Sequence, residues 1–135
     1  MNLLAKKIFG CEKKLVKTMP DYQWFDINDF ACKETGENEI SEEFVACLDA
    51  LRTVCGFPFI ITSGYRSPEH SAERDKPSGG GTHTQGIAAD IKVSGGAQRY
   101  LIQKHAYKMG FTGIGVAKTF IHLDMRETEA MSWSY

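Results

Sequence analysis

The chain has 135 residues, 42% hydrophobic and 24% charged, which suits one globular domain over residues 1–135 with a modest core. Its formal net charge is −1, and lysines and arginines are mixed among acids with no basic block, so a nucleic-acid partner is not expected. No apolar run approaches the ~18–20 residues that cross a bilayer, so membrane insertion is not expected either.

Residues 1–10 carry a short apolar run broken by Lys6 and Lys7, with no small-residue cleavage site after it. That is unlike a secretory signal. The segment reads as amphipathic, residues 2–17 as helical, and Pro20 as a stop. Synthesis in a cytoplasm without standard export follows. Tyr22, Trp24, Phe25 and Phe30 form an aromatic cluster suited to covering a core, and the polar stretch around Gly36 reads as a turn.

Ser41 then has the chemistry of an N-cap, with Glu42 and Glu43 placed to favour the positive end of a helix. Phe44, Cys47, Leu48, Leu51 and Cys55 recur at helical spacing, and Gly56 suits the stop. The aromatic and β-branched residues 57–63 predict a strand, with a turn at 64–68. Residues 69–81 are charged, then glycine-rich, and predict a long loop of the kind that carries function. A strand is expected over 87–93 and a second helix over 97–109, ended by Gly110. Strands at 111–116 and 120–126 are joined by residues 117–119 as a hairpin, and the aromatics Trp133 and Tyr135 of the tail pack back. This order predicts an α+β fold: a small, mainly antiparallel sheet with flanking helices.

The cysteines are Cys11, Cys32, Cys47 and Cys55, with no C-x-x-C pair that would suggest a zinc knuckle. Cys47 and Cys55 lie ~12 Å apart on one helix, too far for a disulfide. They read as buried thiols. A Cys11–Cys32 bridge is possible in principle but not favoured in a cytoplasmic product.

Asp90 is the most informative single residue. An aspartate between Ala89 and Ile91 in an apolar strand must be paired, hydrogen-bonded or metal-bound, because a lone buried carboxylate is costly. His83 precedes it in a glycine-bounded loop. In the last strand His122, Asp124 and Arg126 share one face and Ile121, Leu123 and Met125 the other. Such a face describes a strand lining a site, and equally an ordinary solvated strand. His70 reads as a solvated loop histidine and His105 as a structural or exposed one. Ser78-Gly79-Gly80-Gly81 is no phosphate loop, since no Gly-Lys-Ser/Thr follows.

Three stretches in order carry a family likeness: Ser63-Gly64-Tyr65-Arg66-Ser67, then His83-x-x-Gly86-x-Ala88-Ala89-Asp90-Ile91, then Gly113-Ile114-Gly115-Val116 with Phe120-Ile121-His122-Leu123-Asp124. Together they resemble the zinc D-alanyl-D-alanine metallopeptidases, within the group shared with lysostaphin-type peptidases and hedgehog domains. The likeness runs from about Phe25 to Arg126 and to the closing tryptophan and tyrosine. It implies zinc ligands His83, Asp90 and His122, and an active-site Arg66 able to bind a carboxylate or oxyanion. Ser63 and Tyr65 become candidate substrate contacts. Many members place an acid three residues before the last histidine; Thr119 stands there in this chain. Asp124, on the face of His122, is the candidate for proton transfer or for orienting that histidine.

What the resemblance implies is a zinc-dependent hydrolase acting on bacterial peptidoglycan stem peptides; a monomer is expected. The bond is left open among D-Ala-D-Ala, L-Ala-D-Glu and a cross-bridge. A small member without an export signal resembles the phage endolysins, which reach the cell wall after another protein opens the membrane. Two other readings stand beside it: a non-catalytic zinc- or wall-binding module such as a phage structural component, and a metal-free protein in which Asp90 pairs with an arginine.

Overall fold

A 3-10 turn at Ile27–Phe30, capped by Asp26, opens the described part of the chain, residues 21–135 of a computed structural model. The helix expected over residues 2–17, and Cys11, lie outside it.

Helix α1, Glu42–Cys55, follows the rules its sequence advertised. The Ser41 hydroxyl accepts the Phe44 N–H at 3.1 Å, and Gly56 ends the helix with φ 79°, a conformation costly for other residues. One face buries Phe44, Val45, Cys47, Leu48, Leu51 and Cys55. Leu48 and Leu51 are fully enclosed, each worth about 1.5–3 kcal/mol of transfer free energy. Helix α2, Gly96–Lys108, packs on α1 and contributes Ile102 and Ala106 to the same core.

Five strands form one sheet: β1 Ile61–Ser63, β2 Ala88–Lys92, β3 Gly113–Val116, β4 Phe120–Asp124 and β5 Met131–Ser134, in the order β1-β2-β4-β3-β5. Every pairing is antiparallel except β3 with β5. The fold is therefore α+β with a mainly antiparallel sheet, as the element order implied. Ala89, Ile91, Ile114, Ile121 and Leu123 join the helices in the core. Their neighbours Asp90, His122 and Asp124 project from the opposite face.

Two elements differ from expectation. The strand drawn over 57–63 begins only at Ile61. Pro58 has no N–H to give a ladder, and Phe57 and Phe59 pack edge to face, centroids 5.4 Å apart. The aromatic tail is itself a strand, β5, on the edge of the sheet. Cys32 and Cys55 are free, buried thiols. Among the described residues no helix is long and apolar enough to cross a membrane.

Candidate metal centre

A single row of cross-strand neighbours traverses the sheet: Ser63 opposite Asp90, Asp90 opposite His122, His122 opposite Gly115, and Gly115 opposite Trp133. Paired positions share a face, so β2 and β4 bring Asp90 and His122 together by register alone. His83 arrives from the loop before β2, whose path is fixed by Arg66 N–H and Gly86 N–H, both donating to the His83 carbonyl at 3.2 Å.

The protonation pattern of the two rings follows from their partners. His83 Nδ1 lies 2.8 Å from the Gly64 carbonyl, which can only accept, so Nδ1 carries the proton and Nε2 is the open donor atom. That Nε2 is 3.4 Å from Asp90 Oδ1. His122 uses the opposite nitrogens: Nδ1 is 3.1 Å from Asp90 Oδ1, and Nε2 is 2.7 Å from Asp124 Oδ2. One ligand atom from each of His83, Asp90 and His122 lies within 4.8 Å of the others, and all three residues are buried.

Electrostatics agree with this geometry. Burial pushes the Asp90 pKa up, but the hydrogen bond from His122 and the His83 ring beside it outweigh that and hold the carboxyl well below the usual range. Burial alone would lower the His122 pKa; Asp124 and Asp90 reverse that and raise it. Without a metal, the His122 ring thus tends to donate to both carboxylates. A cation bound by the three donors would take the place of the Nδ1 proton. Two imidazoles and a carboxylate, each imidazole tied on its far nitrogen, form the donor set that zinc takes in hydrolytic sites. The residues fit the group.

Asp124 is fully buried and does more than touch His122. It also accepts the Arg126 backbone N–H at 3.1 Å, Nε at 3.0 Å and Nη2 at 2.6 Å. Burial again works against ionisation, and these bonds, that of His122 first, hold its carboxyl far below the ordinary value. Space for it comes from Gly113 directly opposite on β3, where a Cβ would overlap the carboxylate. Gly115 does the same for the Trp133 indole, whose ring lies 5.2 Å from that of His122. Arg126 sits 5.0 Å over the same indole.

His83, Asp90, His122, Arg126 and Trp133 line a cleft of about 870 Å³, together with Arg66, Lys76, residues of the loop before His83, Phe120, Glu127 and Tyr135. The Peptidase M15 family model matches residues 23–124. The chain belongs to the Peptidase M15 family. A search of the curated proteins finds no match. The M15 match contains all three donors, Arg66 and Asp124, and ends with β4, so Trp133 on β5 lies beyond it.

Other expected residues of this M15 chain fall into place differently. Arg66 reaches the cleft, donating through Nε to Ser63 Oγ at 2.9 Å and through Nη2 to Asp90 Oδ2 at 3.4 Å. Ser63 holds that arginine and is not part of the cleft lining. Tyr65, expected as a substrate contact, is buried in the core instead. The turn lies tight on Phe30, whose carbonyl accepts the Tyr65 N–H at 2.8 Å, and the ring goes inward. His70 is clamped, with Nε2 3.2 Å from Glu34 Oε2 and Nδ1 accepting the Ala72 N–H, and it does not line the cleft. Glu73 was not anticipated. A charged residue in a charged loop reads as solvated, yet it is fully buried, with Arg66 Nη1 at 2.9 Å from its Oε2.

Proposed function

We propose that this M15 chain is a zinc-dependent peptidase that hydrolyses peptide bonds in bacterial peptidoglycan. The convergence of His83 Nε2, Asp90 Oδ1 and His122 Nδ1 on the cleft, in a chain of this family, carries the reading. Zinc bound there supplies Lewis acidity, activating water near neutral pH and polarising the scissile carbonyl. Arg66 presents its guanidinium to a substrate carboxylate or to the oxygen that gains charge in the transition state. Asp124 takes the orienting role of the two considered for it: its oxygens are engaged by His122 and Arg126, and it has no exposure to the cleft. It holds the His122 ring so that Nδ1 faces Asp90. Among the described residues of the cleft, Glu127 is the other carboxylate besides Asp90, and proton transfer falls to it in this reading.

The test pairs metal analysis with turnover. Purified protein is expected to hold one zinc and to release free amines from purified peptidoglycan, with the release abolished by a chelator and by His83→Ala. A panel of peptidoglycan chemotypes identifies the bond. Bound zinc with no cleavage of any chemotype sinks the enzyme reading and leaves the wall-binding module; protein that takes up no zinc sinks both.

A further inference from the structure

Between β1 and β2 the chain makes a long excursion without regular structure, and one side chain gathers it. The buried Glu73 carboxylate accepts from the Gly81 N–H at 2.7 Å, Lys76 Nζ at 3.1 Å and Thr84 Oγ1 at 3.4 Å on Oε1. Its Oε2 takes Arg66 Nη1 at 2.9 Å. Arg66 and Lys76 both line the cleft.

Arg66 has two carboxylates within reach, and they are unequal in function. Asp90 belongs to the metal donor set; Glu73 does not. The contact with Glu73 is the shorter, 2.9 Å against 3.4 Å. A guanidinium deprived of Glu73 keeps one carboxylate partner, and a bidentate Arg–Asp pair would occupy the oxygens a metal needs. We propose that Glu73 is a positioning residue that holds Arg66 in the cleft and limits its contact with Asp90 to the single, longer bond from Nη2 to Oδ2, which leaves Oδ1 to the metal donor set. This rests on reading the three-donor cluster as a metal centre.

The decisive comparison is zinc affinity in wild type, Glu73→Gln, Arg66→Ala and the double variant, by chelator competition. Glu73→Gln is expected to bind zinc about 10-fold more weakly. Removing Arg66 as well should restore affinity to within about 3-fold of Arg66→Ala. A purely structural loop defect would not be relieved by a second deletion, so failure of that rescue overturns the proposal. The Arg66 Nε–H and Nη–H resonances of the metal-free protein give an independent reading. They should be protected from exchange in wild type and altered in Glu73→Gln. Unchanged resonances in Glu73→Gln refute the role whether or not the protein binds zinc, whereas altered resonances in that variant, with a wild type that takes up no zinc, leave Glu73 positioning Arg66 and refute the metal reading and the competition with it. If Glu73→Gln does not fold, Glu73→Asp, which keeps the charge but withdraws it by one methylene, carries the same comparison.

Discussion

Asp124→Asn tests the orienting role most directly. The carboxylate accepts from His122 Nε2 and from three Arg126 nitrogens. An asparagine keeps one acceptor oxygen and replaces the other with an NH₂ group. With the oxygen retained toward Arg126 N and Nε, the new N–H atoms face His122 Nε2 and Arg126 Nη2, which also donate. The histidine can answer only by giving up its Nε2 proton and carrying it on Nδ1, the atom that faces Asp90. Loss of a charge-assisted hydrogen bond costs about 1.5–3 kcal/mol. Because Arg126 retains some solvent contact, with 18% of its side chain exposed, the lower half of that range applies. At about 1.4 kcal/mol per factor of ten, zinc binding should weaken by about 10–40-fold. The metal-free protein should also lose about 2 kcal/mol, a fall in Tm of about 6–10 °C. Chelator competition and calorimetry read the two quantities. A variant with wild-type zinc affinity and Tm but lost turnover would refute the orienting role and return Asp124 to proton transfer.

Other outcomes follow from the same contacts. Gly113→Ala places a methyl group where the Asp124 carboxylate lies; it should cost about 1–3 kcal/mol of stability and weaken zinc binding, and unchanged affinity would show that the carboxylate can move aside. Glu127→Gln should retain zinc and lose about 100-fold in turnover; full activity removes Glu127 from the chemistry. Glu73 has its pKa held to about 2 from an ordinary 4.5, because the bonds from Arg66, Gly81 and Lys76 overcome burial. A depressed folded-state pKa stabilises above the unfolded value, so in urea titrations the advantage of wild type over Glu73→Gln should be complete above pH 4.5 and fade toward about 2. A difference that persists at the lowest pH assigns it to packing. Burial pushes the Cys55 thiol up to about 11 despite Arg52, so at pH near 8 a thiol reagent should label it no faster than the protein unfolds.

Where the sequence was legible, local chemistry was sufficient. Ser41, the two glutamates after it and Gly56 encode a helix by capping alone, and α1 begins and ends with them. Asp90 inside an apolar strand announced its need for partners, and His83, His122 and Arg66 are those partners. The failures are of another kind. β5 is Met131–Ser134 paired in parallel with β3, a relation between segments that no pattern within either expresses. Tyr65 sits in a motif that points toward a site, but its own backbone is tied to the Phe30 carbonyl and its ring is buried in the core. Glu73 is indistinguishable in composition from the solvated acids around it. Its burial follows only from the folded loop placing Arg66, Lys76 and Gly81 around one point.

The row Ser63–Asp90–His122–Gly115–Trp133 has one more consequence. A strand slipped by one residue turns every side chain to the other face. A slip of β2 against β4 would separate Asp90 from His122, and a slip of β3 would replace Gly115 with a side chain where the indole must lie. Metal uptake by the proposed centre would therefore report on the alignment of strands far apart in the chain. A misassembled sheet could stay compact and apolar within, yet it would be blind to zinc, so metal content can serve as a proofreading signal for correct assembly.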